Sequence, residues 1–367
     1  MNSPLFRILM LGPNLNATSG ISNVVNNWLE VGLDKRVDLK YIPTLKHFVP
    51  GRLFRKFFEA LQAYLILLNL DRNAVDIIHI HFSTGMSFYR KYIISKIAML
   101  KGFKIVIHLH SSSFHEYYEN SGKLRKKLIH IFFNQSDLVF VLSEHWKEYC
   151  AQFCTKSKLK VLNNGASTTK FFRRRKTERF VINIACMGRL GKRKGTYDLI
   201  EAFERLCLEH SNLKLVLGGD GDVERVRKIV RDKQLEDRIE VPGWVSGNKK
   251  IEIFQKADIY VLPSYNEGMP GSVLEAMAVG TAIISTSVGG IPEIVQNHIN
   301  GYLIRPGDIE ALYSRLKTLV SNSPLRNRMA TESRRIIQEK FEITLIVDQL
   351  LSHYKDILRK EIHRGSF

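Results

Sequence analysis

At 367 residues and 42.2 kDa the chain exceeds what one hydrophobic core usually organises, so two domains are expected. Its 44% apolar content is that of a globular protein, and no run of about 18 apolar residues is available to cross a bilayer. A net charge of +19 leaves two kinds of partner for the surplus, nucleic acid or an anionic membrane surface. Met1–Met10 has one basic residue and runs straight into the strand-like Arg7–Leu11, which argues against a cleaved signal peptide. Cys150 and Cys154 are spaced for one helical face, and Cys186 and Cys207 lie in apolar segments. No disulfide framework emerges, which suits a reducing cytosol.

In chain order, strands are expected at Phe6–Leu11, Val37–Ile42, Ile77–His81, Lys104–His110, Leu138–Leu142 and Lys160–Leu162, with helices such as Ser22–Val31 and Tyr89–Leu100 between them. The first strand ends at Gly12 and the loop Asn14–Gly20. Two His-x-His pairs, His79/His81 and His108/His110, close neighbouring strands. Alternation puts each pair on one face, so four imidazoles could in principle meet around a metal. No carboxylate or thiol partner is evident, so no metal is expected and His81 and His108 are read as satisfied strand residues.

The second half repeats the style. Strands are expected at Ile182–Met187, Leu213–Gly218, Ile239–Val241, Ile259–Leu262, Ala282–Ser285 and Gly301–Ile304, and helices near Tyr197–Leu208 and Val223–Gln234. Two successive β/α series predict an α/β protein of two doubly wound parallel sheets, each with its ligand edge at the carboxyl ends of the strands. The join is expected near the basic segment Lys170–Arg179. The resulting domains are 1–172, with 345–367 returning to it, and 173–344. Asp220-Gly221-Asp222 spells a metal-binding D-x-D. After Leu215–Gly219, however, it reads as a strand-to-helix turn in which Gly supplies positive φ and Asp caps the helix.

The segment Pro263–Ala278 carries the most chemistry. Glu267 sits on a Gly/Pro-punctuated loop after a strand, and Glu275 lies in the following helix, which stops at Gly280. Leu274, Ala276 and Met277 enclose Glu275, unlike a solvated helix acid. Backbone N–H groups at the helix start favour an anion or the oxygens of a polar ligand, so a nucleotide sugar fits. Paired carboxylates also suit glycoside hydrolysis. Both acids, however, come from one loop–helix unit.

The wording Glu267-Gly268-Met269-Pro270 … Leu274-Glu275-Ala276-Met277-Ala278-Val279-Gly280, with seven residues between the acids, resembles glycosyltransferase family 4. The same likeness runs through Met187-Gly188-Arg189-Leu190 with Lys194-Gly195, Leu217-Gly218-Gly219-Asp220-Gly221 and Gly289-Gly290-Ile291-Pro292-Glu293, in that order. It implies a retaining, metal-independent hexosyltransferase of GT-B fold, two Rossmann-like domains with a cleft between them. The last helix, Leu345–Leu358 here, is then expected to cross back to the first domain.

The resemblance assigns catalytic roles to Glu267, His110, Arg189 and Lys194. Donor binding falls to Gly20, Arg189, Lys194, Val245, Gly268, Met269, Pro270, Gly271 and Glu275. Glu275 would hold the ribose, Glu267 the sugar, and Arg189 and Lys194 the diphosphate, whose charge grows as the glycosidic bond breaks. His110 matches the family histidine that reaches the sugar, and Val245 with Trp244 lies where the base is bound. Ser19-Gly20 replaces a Gly-Gly pair, which leaves Gly20 to approach the phosphate. No cofactor is implied beyond a nucleotide-diphosphate sugar, with UDP-sugar favoured over GDP-sugar.

The charge is uneven: residues 1–175 hold 26 Lys/Arg against 11 Asp/Glu. Its carriers are Lys46–Phe58, where cations alternate with four phenylalanines, and Lys123–Leu128. Phe54, Phe57, Phe58, Leu61, Tyr64 and Leu65 recur at helical spacing, as an interfacial helix requires, although a core-facing helix with a basic edge has the same pattern. With the resemblance, this points to a lipid-linked glycan acceptor of bacterial surface polysaccharide synthesis, used at the inner face of the membrane by a cytoplasmic, peripheral enzyme. Nucleic acid is not expected as a partner. The rival readings are a phosphorylase or epimerase of the same fold, and a basic nucleic-acid-binding or scaffold protein on a degenerate one.

Overall fold

The computed structural model describes residues 6–44, 53–172 and 180–362, and the side chains of residues 61–359 within them together with those of 6–44. Among the described residues twelve strands form two parallel six-stranded sheets. The first contains β1 (Arg7–Gly12), β2 (Asp38–Pro43), β3 (Ile77–Phe82), β4 (Lys104–Leu109), β5 (Leu138–Val141) and β6 (Leu159–Val161), in the order β2-β1-β3-β4-β5-β6. The second contains β7 (Ile182–Met187), β8 (Leu213–Gly218), β9 (Ile239–Gly243), β10 (Ile259–Leu262), β11 (Ala282–Thr286) and β12 (Gly301–Ile304), in the order β12-β11-β10-β7-β8-β9. Helices cover parallel strands on both faces, so β3, β5, β10 and β11 are apolar-rich and buried at every residue. Pro242 is confined to β9, an edge strand, where a missing N–H breaks no ladder.

The chain divides into two compact units, Met1–Asn164 with Ile343–Phe367, and Gly165–Glu342. The division falls eight residues before the expected join, because residues 166–171 are tied into the second unit. Ala166 N–H donates to Phe341 O at 3.0 Å, Thr168 N–H reaches the Glu342 carboxylate, and Arg334 donates to Thr168 O and Phe171 O. The Phe171 ring meets Phe254 edge-on. Residues 173–179 of the expected join lie outside the described residues.

In the first unit the sheet separates two apolar layers. One holds Phe82, Phe88, Phe114, Phe132 and Phe133; the other holds Met10, Trp28, Phe140 and the inner face of the last helix, Ile343–Ile362, through Ile346, Val347, Leu350 and Tyr354. That helix therefore returns to the first unit, as expected. Helix Gly20–Glu30 begins at Ser19, whose hydroxyl accepts from Ser22 N–H at 3.0 Å. The residue that replaces the expected glycine is an N-cap.

Two expectations need correction. Asp222 stands at the N-cap of helix Val223–Asp232 but makes no capping bond; its carboxylate accepts from Tyr197 O–H at 2.8 Å instead. Gly221 does have the positive φ expected of it. Cys154 does not share a helix with Cys150, since the helix Glu144–Cys150 has already ended; all four cysteines are free.

Candidate active site

The strand order of the second sheet reverses direction between β7 and β10, and loops at such a switch point open a crevice at the carboxyl ends of the strands. The loop after β7 carries Arg189 and Lys194, and the loop after β10 carries Glu267. Topology alone therefore brings together residues 73 apart in sequence. Lys194 Nζ donates to Glu267 Oε1 in a nearly buried ion pair, with side chains 13% and 6% exposed. Ser264 Oγ donates to the same oxygen at 2.7 Å. Lys194 retains two further N–H donors for a phosphate oxygen. Arg189 is exposed and forms no ion pair with a described residue.

Two glycines make this approach possible. At Gly195 (φ +65°) a Cβ would stand 2.1 Å from Pro263 O, and at Gly289 (φ +53°) one would stand 1.9 Å from Glu267 O. Both positions favour glycine by conformation and require it by space. Gly290 N–H then donates to Gly268 O at 2.6 Å. The Gly289-Gly290 motif is thus the floor under the acid loop.

Helix Gly271–Val279 starts beside that loop with no side-chain cap and no acid in its first turn. Its N-terminal amides and dipole are left for an anion or polar oxygens. Pro270, at the N-cap, has no N–H, so the backbone donors come from Gly268, Met269 and Gly271 and not from the whole run. Gly271 is exposed, with open space where a Cβ would point.

Glu275 projects from the helix interior and is 7% exposed. Lys250, on helix Gly247–Lys256, donates to its Oε1 at 2.6 Å, while Oε2 is buried without a hydrogen-bond partner among the described residues. A buried carboxylate oxygen left bare is costly, and ribose hydroxyls are the kind of donor that would satisfy it. Lys250 is a site residue that sequence reasoning missed. It is one of several lysines on an amphipathic helix, and nothing in its spacing marks it. Val245 is buried against Gly218 at the end of β8, and Trp244 beside it is half exposed.

In the first unit, register fixes the histidines. His81 lies opposite His108, and His79 opposite Met10 and Val106, all on the layer with Trp28 and Tyr354. His79 and His81 stack at 4.4 Å between ring centroids, His108 and His110 meet at 4.0 Å, and Trp28 stacks on His108. His79 Nδ1 pairs with Tyr354 Oη at 2.6 Å, and His81 Nδ1 with His110 Nε2 at 2.8 Å. Against expectation, His81 and His108 are not satisfied: His81 Nε2 and both nitrogens of His108 are buried without partners among the described residues, as is His79 Nε2.

Nitrogens of His79, His81 and His108 lie within 4.8 Å of one another. The His79 and His81 rings, however, are within 17° of parallel, and His79 and His108 within 24°. Stacked rings aim their lone pairs side by side, whereas a tetrahedral ion needs them convergent at about 2 Å. Burial holds all four imidazoles neutral, with His79 and His110 pushed down to about 3 and His81 and His108 well below their ordinary value.

Gly20 opens the helix after β1, with nothing near its missing side chain. Of the basic segments, 45–52 and the side chains of Phe54, Phe57 and Phe58 lie outside the described residues. Leu61 and Tyr64 are half-buried and Leu65 is exposed. Leu68, Ile93, Leu100 and Leu124 are also exposed, near Lys101, Lys123 and Lys127. Part of the second patch is held by its own domain: Arg125 donates to Tyr89 O–H at 2.9 Å, and Lys126 lies over the Tyr118 ring. No described helix is long and apolar enough to cross a membrane.

Residues 29–170 match the model of Glycosyltransferase Family 4, and residues 168–336 that of Glycosyl transferases group 1. The putative colanic acid biosynthesis glycosyltransferase WcaL of Salmonella typhimurium is 30% identical over 60% of this chain, which spans 57% of that relative's length. The UDP-Gal:alpha-D-GlcNAc-diphosphoundecaprenol alpha-1,3-galactosyltransferase of Escherichia coli is 28% identical over 89% of this chain and 86% of its own. Among solved structures, Anabaena HepE in complex with UDP superposes with a TM-score of 0.75 at 16% identity, over 95% of this chain and all of the other, a likeness of fold.

Proposed function

Because this chain belongs to the family-4-like glycosyltransferases of GT-B fold, we propose that it transfers a hexosyl group, with retention, from a nucleotide-diphosphate sugar to a lipid-linked glycan in bacterial surface polysaccharide synthesis. The observation that carries the donor half is the arrangement at the β7/β10 switch point, where Lys194 pairs with Glu267 and Glu275 has a bare, buried oxygen.

In this reading Glu275 accepts the ribose hydroxyls after Lys250 yields one of its oxygens. Arg189 and the free donors of Lys194 meet the diphosphate, joined by N–H groups of Gly268, Met269 and Gly271. Val245 lines the base, and Gly20 lets backbone approach the phosphate. Glu267 aligns the sugar, and His110 keeps the sugar-binding role that the family resemblance gives it. As the bond to the sugar breaks, charge builds on the leaving diphosphate, and a fixed arginine and lysine stabilise it without reorganising. The leaving phosphate takes the acceptor's proton on the same face, so no carboxylate has to act as base. UDP is the favoured carrier, in keeping with the UDP-bound structural neighbour and the UDP-Gal-dependent relative.

The acceptor half of the proposal rests on the basic excess of residues 1–175 and on the diphosphoundecaprenol-linked substrate in that relative's name. It places the enzyme in the cytoplasm at the inner membrane face, each Lys or Arg adding up to about 1 kcal/mol at an anionic surface. A thermal-shift screen of nucleotide sugars tests the donor, since a bound donor raises the melting temperature by mass action. Sedimentation with vesicles tests the surface: anionic vesicles should carry the protein down at low salt and neutral ones should not. Equal failure with both would remove the membrane from the proposal.

A further inference from the structure

His81 and His110 share one hydrogen bond, Nδ1 to Nε2 at 2.8 Å, and two arrangements of the protons are possible. If His81 donates from Nδ1, its Nε2 is a bare lone pair. If His110 donates from Nε2, the proton of His81 must sit on Nε2, an N–H buried at a residue with no exposure and with no acceptor among the described residues. Buried lone pairs are tolerated without partners more readily than buried N–H donors, so the first arrangement is preferred. The rings have little freedom to escape it, since Trp28, His79 and His108 are all within ring-contact distance of His81, and the His108 and His110 ring centroids are 4.0 Å apart.

We propose that His81 is a positioning residue that fixes His110 in the tautomer protonated on Nδ1, so that His110 offers an N–H donor, and no basic nitrogen, at the carboxyl end of β4. This deepens the transferase reading and rests on it for the donor sugar as the group that His110 meets. His110 donates to a sugar oxygen and takes no proton from the acceptor, because its lone pair on Nε2 is already engaged by His81. That complements a mechanism in which the leaving phosphate is the base. Burial supports the neutral state of both rings.

Long-range proton–nitrogen correlation spectra of the ¹⁵N-histidine-labelled protein read the protonated nitrogen of each ring directly, with His110→Gln assigning the His110 signals. The expected result is a pyrrole-type Nδ1 and a pyridine-type Nε2 at His110. In His81→Leu nothing donates to Nε2, so the intrinsic preference of imidazole for Nε2–H competes with the cost of burying it. The signals should become a mixture of the two tautomers, with kcat lowered by up to roughly tenfold at little-changed KM as the donor on Nδ1 is partly lost. His81→Asn keeps an N–H donor and should restore both. A proton on Nε2 of His110 in the unmodified protein overturns the proposal without any variant, and so does an unchanged Nδ1–H in His81→Leu. The protonation site is read without substrate, so its failure is distinct from failure of the transferase reading, which would be absence of turnover with every nucleotide sugar.

Discussion

The two sheets solve different problems with nearly the same topology. The second has the strand order of dinucleotide-binding domains and concentrates its chemistry on the loops and helices that connect its strands, as charged groups held in pairs: Lys194 with Glu267, Lys250 with Glu275. The first has the flavodoxin-like order and carries its chemistry inside the strands, as neutral imidazoles packed between Trp28, which stacks on His108, and Tyr354, which meets His79 edge-on. Loop charges can stabilise a charge that develops during reaction. Buried neutral rings can only fix where a proton sits. The charged half is therefore suited to electrostatics and the histidine half to geometry.

Breaking the charged half should have the largest effect. Lys194→Ala or Arg189→Ala is expected to lower turnover by about 10²–10³, as for loss of an oxyanion-type donor, measured with saturating nucleotide sugar. Wild-type turnover in Lys194→Ala would remove the phosphate role. Glu275→Ala should act on binding instead, weakening nucleotide affinity about 10–100-fold through loss of charge-assisted hydrogen bonds, as read by calorimetry.

The histidine half should show itself in stability, not in charge. Folded His79, His81 and His108 stay neutral where the unfolded chain, with histidines titrating near 6.5, takes up protons. The unfolded state thus binds more protons below pH 6.5. Stability is complete above that pH and falls as pH drops from 6.5 toward about 3, by up to about 1.4 kcal/mol per pH unit for each histidine. Urea unfolding between pH 7 and 5 measures the slope, and His108→Phe should reduce it by one proton. The smallest expected effect belongs to Lys250→Met. Freeing Glu275 from its ion pair should tighten nucleotide binding by a few-fold, in line with the small worth of a partly exposed pair. A large loss of affinity would instead make Lys250 a ligand to the donor.

The twelve strands were legible in the sequence to within a residue or two, because strands buried on both faces read as unbroken apolar runs between turn residues. Helix ends were less so. Gln234 was expected inside a helix but stands past its end at φ +54°, and the cap at Ser19 went unrecognised as a cap. In the candidate site, Glu267 and Lys194 were visible because glycine spacing marks their loops. Lys250 was not, since its meeting with Glu275 depends on how two helices pack. The histidines were placed on the correct face by alternation alone. Their bare nitrogens were invisible, because hydrogen-bond satisfaction is decided by what lies opposite in three dimensions and leaves no trace in spacing.

The central claim is that the β7/β10 switch point binds a nucleotide-diphosphate sugar and that Lys194 acts on its phosphates. Titrating UDP and UDP-sugars into the unmodified protein and into Lys194→Ala by calorimetry, with turnover followed in parallel, tests it most directly. The account predicts saturable binding by the unmodified protein, and weaker binding with turnover reduced by about 10²–10³ in the variant. No binding of any nucleotide sugar, or equal affinity and turnover in both proteins, would contradict it.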